Sequence, residues 1–159
     1  MQQDDEAVSP VIATVLLLAI TVLLTSMVFL MMSSTLDGAE KSPPRSKVSV
    51  RALSNGYHVI TITYLDQSLD PGKIDWSVMN ESGENRYLLS GQADDADVYG
   101  TVGSKVSFHD RDAGWSVSTG DYFVIDCNQL NCGDGSHYFQ VTDSGTDTLL
   151  FRAKLPVTN

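Results

Sequence analysis

The chain has 159 residues, 42% of them hydrophobic, and a formal net charge of −10. That length holds one modest domain plus a terminal segment. The acid excess argues against nucleic acid as a partner, because phosphate contacts need Lys and Arg, and against docking on anionic lipid headgroups.

The chain opens with an acidic leader, "MQQDDE", followed by thirty residues, Ala7 to Leu36, without a charge. From Val11 to Met32 only Thr14, Thr21, Thr25 and Ser26 are polar. An apolar run longer than about 18 residues can cross a bilayer, and a lone span must be helical because backbone groups in lipid pair only within the segment. Ser9-Pro10 reads as a helix start, with Ser9 as cap and Pro10 in the first turn. Asp37-Gly38 reads as the stop, and Pro43-Pro44 rules out continuation. A helix from Pro10 to Leu36 would be about 40 Å long, enough for a hydrocarbon core of about 30 Å. An ordinary secretory signal fits poorly: the leader has no Lys or Arg, and the apolar run exceeds the usual 7–15 residues. A plain membrane anchor fits the segment equally well.

"DDEAVSPVIATVLLLAITVLL" resembles the N-terminus of archaeal type IV pilins, which join a short charged leader, a Val-Ser-Pro-Val-Ile element and a long apolar helix in that order. The resemblance covers roughly residues 4 to 32. It implies a class III signal peptide, cut by a prepilin peptidase before the apolar stretch, between Ala7 and Val8 or one bond earlier. The helix is then retained, in the membrane before assembly and in the core of a helical filament of identical subunits afterwards. A helix apolar on all sides needs cover on all sides, and lipid or neighbouring copies can both supply it. The residues expected at helix–helix contacts are Val8, Pro10, Val11, Ile12, Val15, Leu16, Leu18, Ala19, Val22, Leu23 and Phe29. Ala13, Ala19, Thr21, Thr25 and Ser26 are small enough for close approach, or are ordinary residues of a lipid-facing span.

Two features depart from that pattern. Bacterial type IV pilins often carry Glu at the fifth mature position; here that position is Ile12, so registry must rest on other contacts. Lys41, Arg45, Lys47 and Arg51 follow the helix while the leader is acidic, which by the positive-inside rule alone predicts a cytoplasmic C-terminal domain. The pilin resemblance implies the opposite side.

"EKSPPRSK" (Glu40 to Lys47) reads as a short, stiff linker. Beyond it, strand signals recur. "KVSVRAL" and "YHVITITYL" flank Ser54-Asn55-Gly56, a strong hairpin signal. "KIDWSVMN" puts Ile74, Trp76 and Val78 on one face. "NRYLLS", "TVGSKVSFH", "WSVSTGDYFVIDC", "HYFQVT" and "TLLFRAKL" follow. About eight strands and no helix predict an all-β sandwich, immunoglobulin-like, or a small barrel, and an α+β chain overall. The expected core is Trp76, Trp115, Tyr122, Phe123, Tyr138, Phe139 and Phe151. "WSVSTGDYFVI" and "TDTLLFRAKL" also resemble the β-domain of archaeal pilins, through strand–turn patterning alone. The expected division is a leader over 1–7, a helix over 8–38, a linker over 39–47 and a β-domain over 48–159.

Little in the β-domain points to catalysis. There is no Gly-rich phosphate loop, nucleophile elbow or Cys-x-x-Cys pair, and the three His are scattered. Cys127 and Cys132 read as a disulfide if this part lies outside the cell, or as two thiols; a zinc site lacks two ligands in any known spacing. Asp94, Asp95 and Asp97 form a weak Ca²⁺ candidate without EF-hand spacing, against the simpler reading of a solvated acidic loop. Asn80-Glu81-Ser82 is the one N-glycosylation sequon, and the pilin resemblance strengthens it, since archaeal filament subunits are commonly glycosylated.

Together these readings favour a structural filament subunit, used in adhesion or surface attachment. It would be neither enzyme nor cofactor protein, with its β-domain at the cell exterior and the prepilin peptidase and pilus assembly machinery as partners. The alternative is a single-pass anchored extracytoplasmic sandwich that binds a ligand.

Overall fold

The computed structural model describes residues 5–37, 42–81 and 87–158. The chain divides into two compact units between Ser42 and Pro43.

The first unit is the helix α1, Asp5–Asp37, 33 residues long. Its start corrects the expected cap. Pro10 lies inside the helix, in its second turn, so Ser9 is a helical residue. Glu6 and Ala7 are good helix formers and carry the helix past the local Ser-Pro signal. Pro10 leaves the carbonyl four residues earlier without its usual donor.

The second unit is a β-sandwich. Its strands are β1 Ser46–Ala52, β2 Tyr57–Leu65, β3 Ile74–Asn80, β4 Tyr87–Gln92, β5 Val106–His109, β6 Tyr122–Asp126, β7 His137–Asp143 and β8 Thr148–Lys154. All ladders between them are antiparallel. One sheet runs β1-β2-β6-β5 and the other β4-β3-β7-β8. Lettered along the chain, that is A-B-E-D facing C′-C-F-G, the strand order of immunoglobulin-type sandwiches. The barrel alternative falls, because the strands form two separate sheets.

Alternation explains which faces meet. His58, Ile60 and Ile62 of β2, Ile74, Trp76 and Val78 of β3, and Phe139 and Val141 of β7 all point inward and are buried. Phe139 is the hub: its ring lies 5.2 Å from Phe123 of the opposite sheet and 6.3 Å from both Trp76 and Phe151. Immunoglobulin domains pack a strand-C Trp on a B–F disulfide. Here Trp76 on the same strand stacks on Phe139 instead. Gly91, its partner across the ladder, permits this, since a Cβ there would come within 2.9 Å of the indole.

The Ser54-Asn55-Gly56 hairpin forms between β1 and β2. Gly56, at φ 87°, closes it as a three-residue loop, with its N–H donating to the Leu53 carbonyl. Two short helical pieces were not foreseen: a 3₁₀ turn at Pro71–Lys73 and a four-residue helix, α2, at Cys127–Leu130. Asp126 caps α2 by accepting from the N–H groups of Asn128 and Gln129. Cys127 and Cys132 are joined in a disulfide beside it.

The last residues strap that end of the sandwich. The Leu155 N–H donates to the His137 carbonyl at 2.9 Å, and the Thr158 N–H to Gly133 at 3.1 Å. Nε2 of buried His58 lies 2.6 Å from the Pro156 carbonyl, which can only accept, so the proton sits on Nε2.

The expected aromatic core is corrected at three positions. Trp115 is 59% exposed, and Tyr122 and Tyr138 are half-buried on the outer faces of their strands. Phe108, not among those expected, is fully buried. Tyr122 and Tyr138 occupy the alternate register from Phe123 and Phe139, so only one of each pair can face inward.

Phe139→Ala should therefore cost about 3–5 kcal/mol of unfolding free energy. Leu149→Ala, at an exposed site, should stay within about 0.5 kcal/mol. Chemical denaturation of the detergent-solubilised chain measures both.

Candidate functional site

Sixteen large apolar side chains lie on α1 between Val11 and Met32, none less than 53% exposed in the single chain. They surround the helix without a polar stripe. Val11, Ile12, Val15, Leu16, Leu18, Val22, Leu23 and Phe29 are all among them, and Pro10 and Ala19 are exposed too. Ala7 and Val8 lie on the helical backbone, but their side chains fall outside the described residues, as do residues 1–4 of the leader. The stretch long and apolar enough to cross a membrane is Ser9–Ser33, 25 residues. At 1.5 Å per residue it spans about 37 Å.

Four hydroxyls within this stretch, those of Thr14, Thr21, Thr25 and Ser26, are paired locally. The Thr14 hydroxyl donates to the Val11 carbonyl and that of Thr21 to Leu18, both at 2.8 Å. Thr25 donates to Thr21 and Val22, at 2.8 and 3.0 Å, and Ser26 to Val22 at 2.7 Å. A hydroxyl left unpaired in hydrocarbon would cost several kcal/mol. Bonded back into the helix, each is compatible with lipid and with a dry helix–helix contact alike. The sequence read these residues only as small; their back-bonding is the feature it left out, and Ser and Thr inside an apolar helix are its signal.

At 3.6 residues per turn, Thr14, Thr21 and Thr25 share one strip of the surface, within about 40°. Ala19, Ser26 and Ser33 share another, roughly 120° away. Met32 falls on the first strip and Val15 on the second, so small side chains line only part of each, and there another helix could approach closely.

The remaining expected sites lie in the β-domain and do not converge. Asn80 is exposed at the end of β3, opposite His137, while Ser82 of its sequon lies outside the described residues. Asp95 is taken up as a turn acceptor, with Oδ2 2.8 Å from the Gln92 N–H. No group of three or more His, Cys, Asp or Glu able to hold a metal ion occurs among the described residues. The stretch Glu40 to Lys47, read as a linker, falls partly outside them, and β1 already begins at Ser46.

Residues 6–48 match the family model described as archaeal type IV pilin, N-terminal. The match is consistent with an archaeal type IV pilin and falls on the segment that carries the resemblance in sequence. It ends inside β1, so it speaks for α1 and the chain leading from it, not for the sandwich. No curated protein matches the chain.

A charge in the middle of α1 should keep it from the bilayer. Leu18→Lys costs about 2.5–3.5 kcal/mol at a helix centre, and membrane fractionation should find less of the chain retained. Thr21→Val, which removes a hydroxyl already paired within the helix, should fractionate like the parent.

Proposed function

We propose that this chain is a structural subunit of an archaeal type IV pilus-like surface filament. The observation that carries the reading is the pilin N-terminal match lying on a helix that is apolar on every side. Such a helix serves two environments in turn. As a precursor it sits in the membrane, covered by lipid. After a prepilin peptidase cuts between Ala7 and Val8, it leaves lipid for a bundle of identical helices. The same contact repeated from copy to copy does not close, and so builds a filament. The internal bonding of Thr14, Thr21, Thr25 and Ser26 supports this exchange, because these four hydroxyls need no new partner when the surroundings change.

In this reading the sandwich is the soluble part, displayed at the cell exterior, and the filament serves surface attachment. Asn80 carries a sugar, which would add mass to the mature chain. Pilins are structural proteins, and the chain does no catalysis. With Ile12 where bacterial pilins often have Glu, subunit registry rests on packing along the two strips that carry the small side chains.

Antibodies raised against the β-domain should decorate filaments on cells and in sheared surface material viewed by electron microscopy. Thr21→Phe fills one strip while keeping the helix apolar. It should leave the chain in the membrane and abolish decorated filaments. Cells that make the parent chain yet show no decorated filament would contradict the proposal.

A further inference from the structure

Trp115 is a large apolar side chain that the fold leaves on its surface, and it is held there by a built support. Its indole stacks on the Tyr99 ring, centroids 4.3 Å apart at 27°. Tyr99 leans on Phe108 at 5.6 Å, and Phe108 on Phe123 at 4.9 Å, so a continuous aromatic ladder runs from the core to the exposed indole. The Tyr99 hydroxyl donates to Asp110 at 2.7 Å. Burial, then that bond and the Asp110 charge, push this phenol up to about 12, so it stays a donor.

The loop carrying Trp115 is fixed at both ends by one buried carboxylate. Asp121 accepts from the Arg111 N–H at 3.0 Å and from the Ser118 N–H at 2.6 Å. Burial raises the Asp121 carboxyl above the usual range, partly offset by those two bonds. Val117 is buried and exchanges both backbone bonds with Leu69, at 2.8 and 3.0 Å. The indole is thus pre-positioned, which lowers the ordering cost of any ligand that stacks on it.

We propose that the Asp110–Ser118 loop is a carbohydrate-binding site, with Trp115 as the platform for a neutral pyranose ring. A sugar lays its C–H face on an indole and turns its hydroxyls to polar groups at the rim. The loop supplies such groups in Arg111, Asp112 and Ser116, and the Trp115 Nε1–H has no partner among the described residues. A protein partner fits less well. Interface cores are depleted of charge and need contiguous apolar area, whereas this loop offers one ring among charged and small residues. The net acidity of the chain disfavours an anionic sugar. The site belongs to the β-domain and does not depend on filament assembly.

The full-length chain in a polyoxyethylene detergent, which has no sugar headgroup, is titrated with cellohexaose, maltohexaose and chitohexaose while tryptophan fluorescence is followed. The other tryptophan, Trp76, is 3% exposed, so the signal reports Trp115. At least one hexasaccharide should give a saturable change with Kd on the order of 1 mM. Trp115→Ala, which loses the fluorescent reporter and is read by calorimetry, should weaken binding at least about tenfold at an unchanged melting temperature, since the indole is exposed. Trp115→Phe, read by calorimetry, should keep part of the binding. No binding up to about 10 mM, or equal binding by Trp115→Ala, would overturn the proposal. So would an indole shielded from acrylamide in assembled filaments, which would assign the platform to a neighbouring copy.

Discussion

The constraint on which the rest depends is the cover required by α1. Sixteen large apolar side chains stand around it on all sides. Leaving each in water costs about 1.5–3 kcal/mol relative to burial, so the helix in water would forfeit tens of kcal/mol. That exceeds the net stability of an ordinary domain, which is about 5–15 kcal/mol. The segment therefore has two stable surroundings, lipid and other apolar helices. A helix apolar on every side needs cover on every side, where an amphipathic one needs it on a single face. In the proposed filament, copies of the helix meet that need, and the pilin match lies on the segment that would do so.

The sandwich covers its apolar residues in a different way from the helix. It buries its apolar residues within itself, around Phe139, and its acidic residues keep the outside hydrated. The immunoglobulin-type strand order arises without the B–F disulfide of that class. Stacked aromatics take the central position, and the one disulfide instead ties the first residue of α2 to the loop beyond it. At that end the terminal strap adds backbone bonds from Leu155 and Thr158. A β-domain of this kind is a carrier on which loops can vary, and the Asp110–Ser118 loop has the rigidity that a recognition site needs.

Much of this was legible in the sequence because its signals are local. Tyr57–Leu65 forms the strand as read, with His58, Ile60 and Ile62 buried in alternation. Ile74, Trp76 and Val78 face the core together, as period two requires. The signals that failed are those overridden from a distance. "WSVS" around Trp115 alternates like a strand, but it keeps only a single antiparallel bridge, Val117 to Leu69, 48 positions away, which no local window shows. Ser9-Pro10 is a sound local cap, overruled by the helix formers before it. Nothing near His58 in the sequence marks it as buried and bonded; its partner, the Pro156 carbonyl, lies 98 positions away. The apolar helix was plain from composition, but its strips and back-bonded hydroxyls needed coordinates.

The most direct test of the filament account is the N-terminal sequence of the native protein, taken separately from sheared surface material and from membranes. The account predicts a chain that starts at Val8 in the sheared fraction, with uncut leader confined to the membrane. A chain found in membranes alone, still carrying its leader, would contradict it and leave an anchored β-domain.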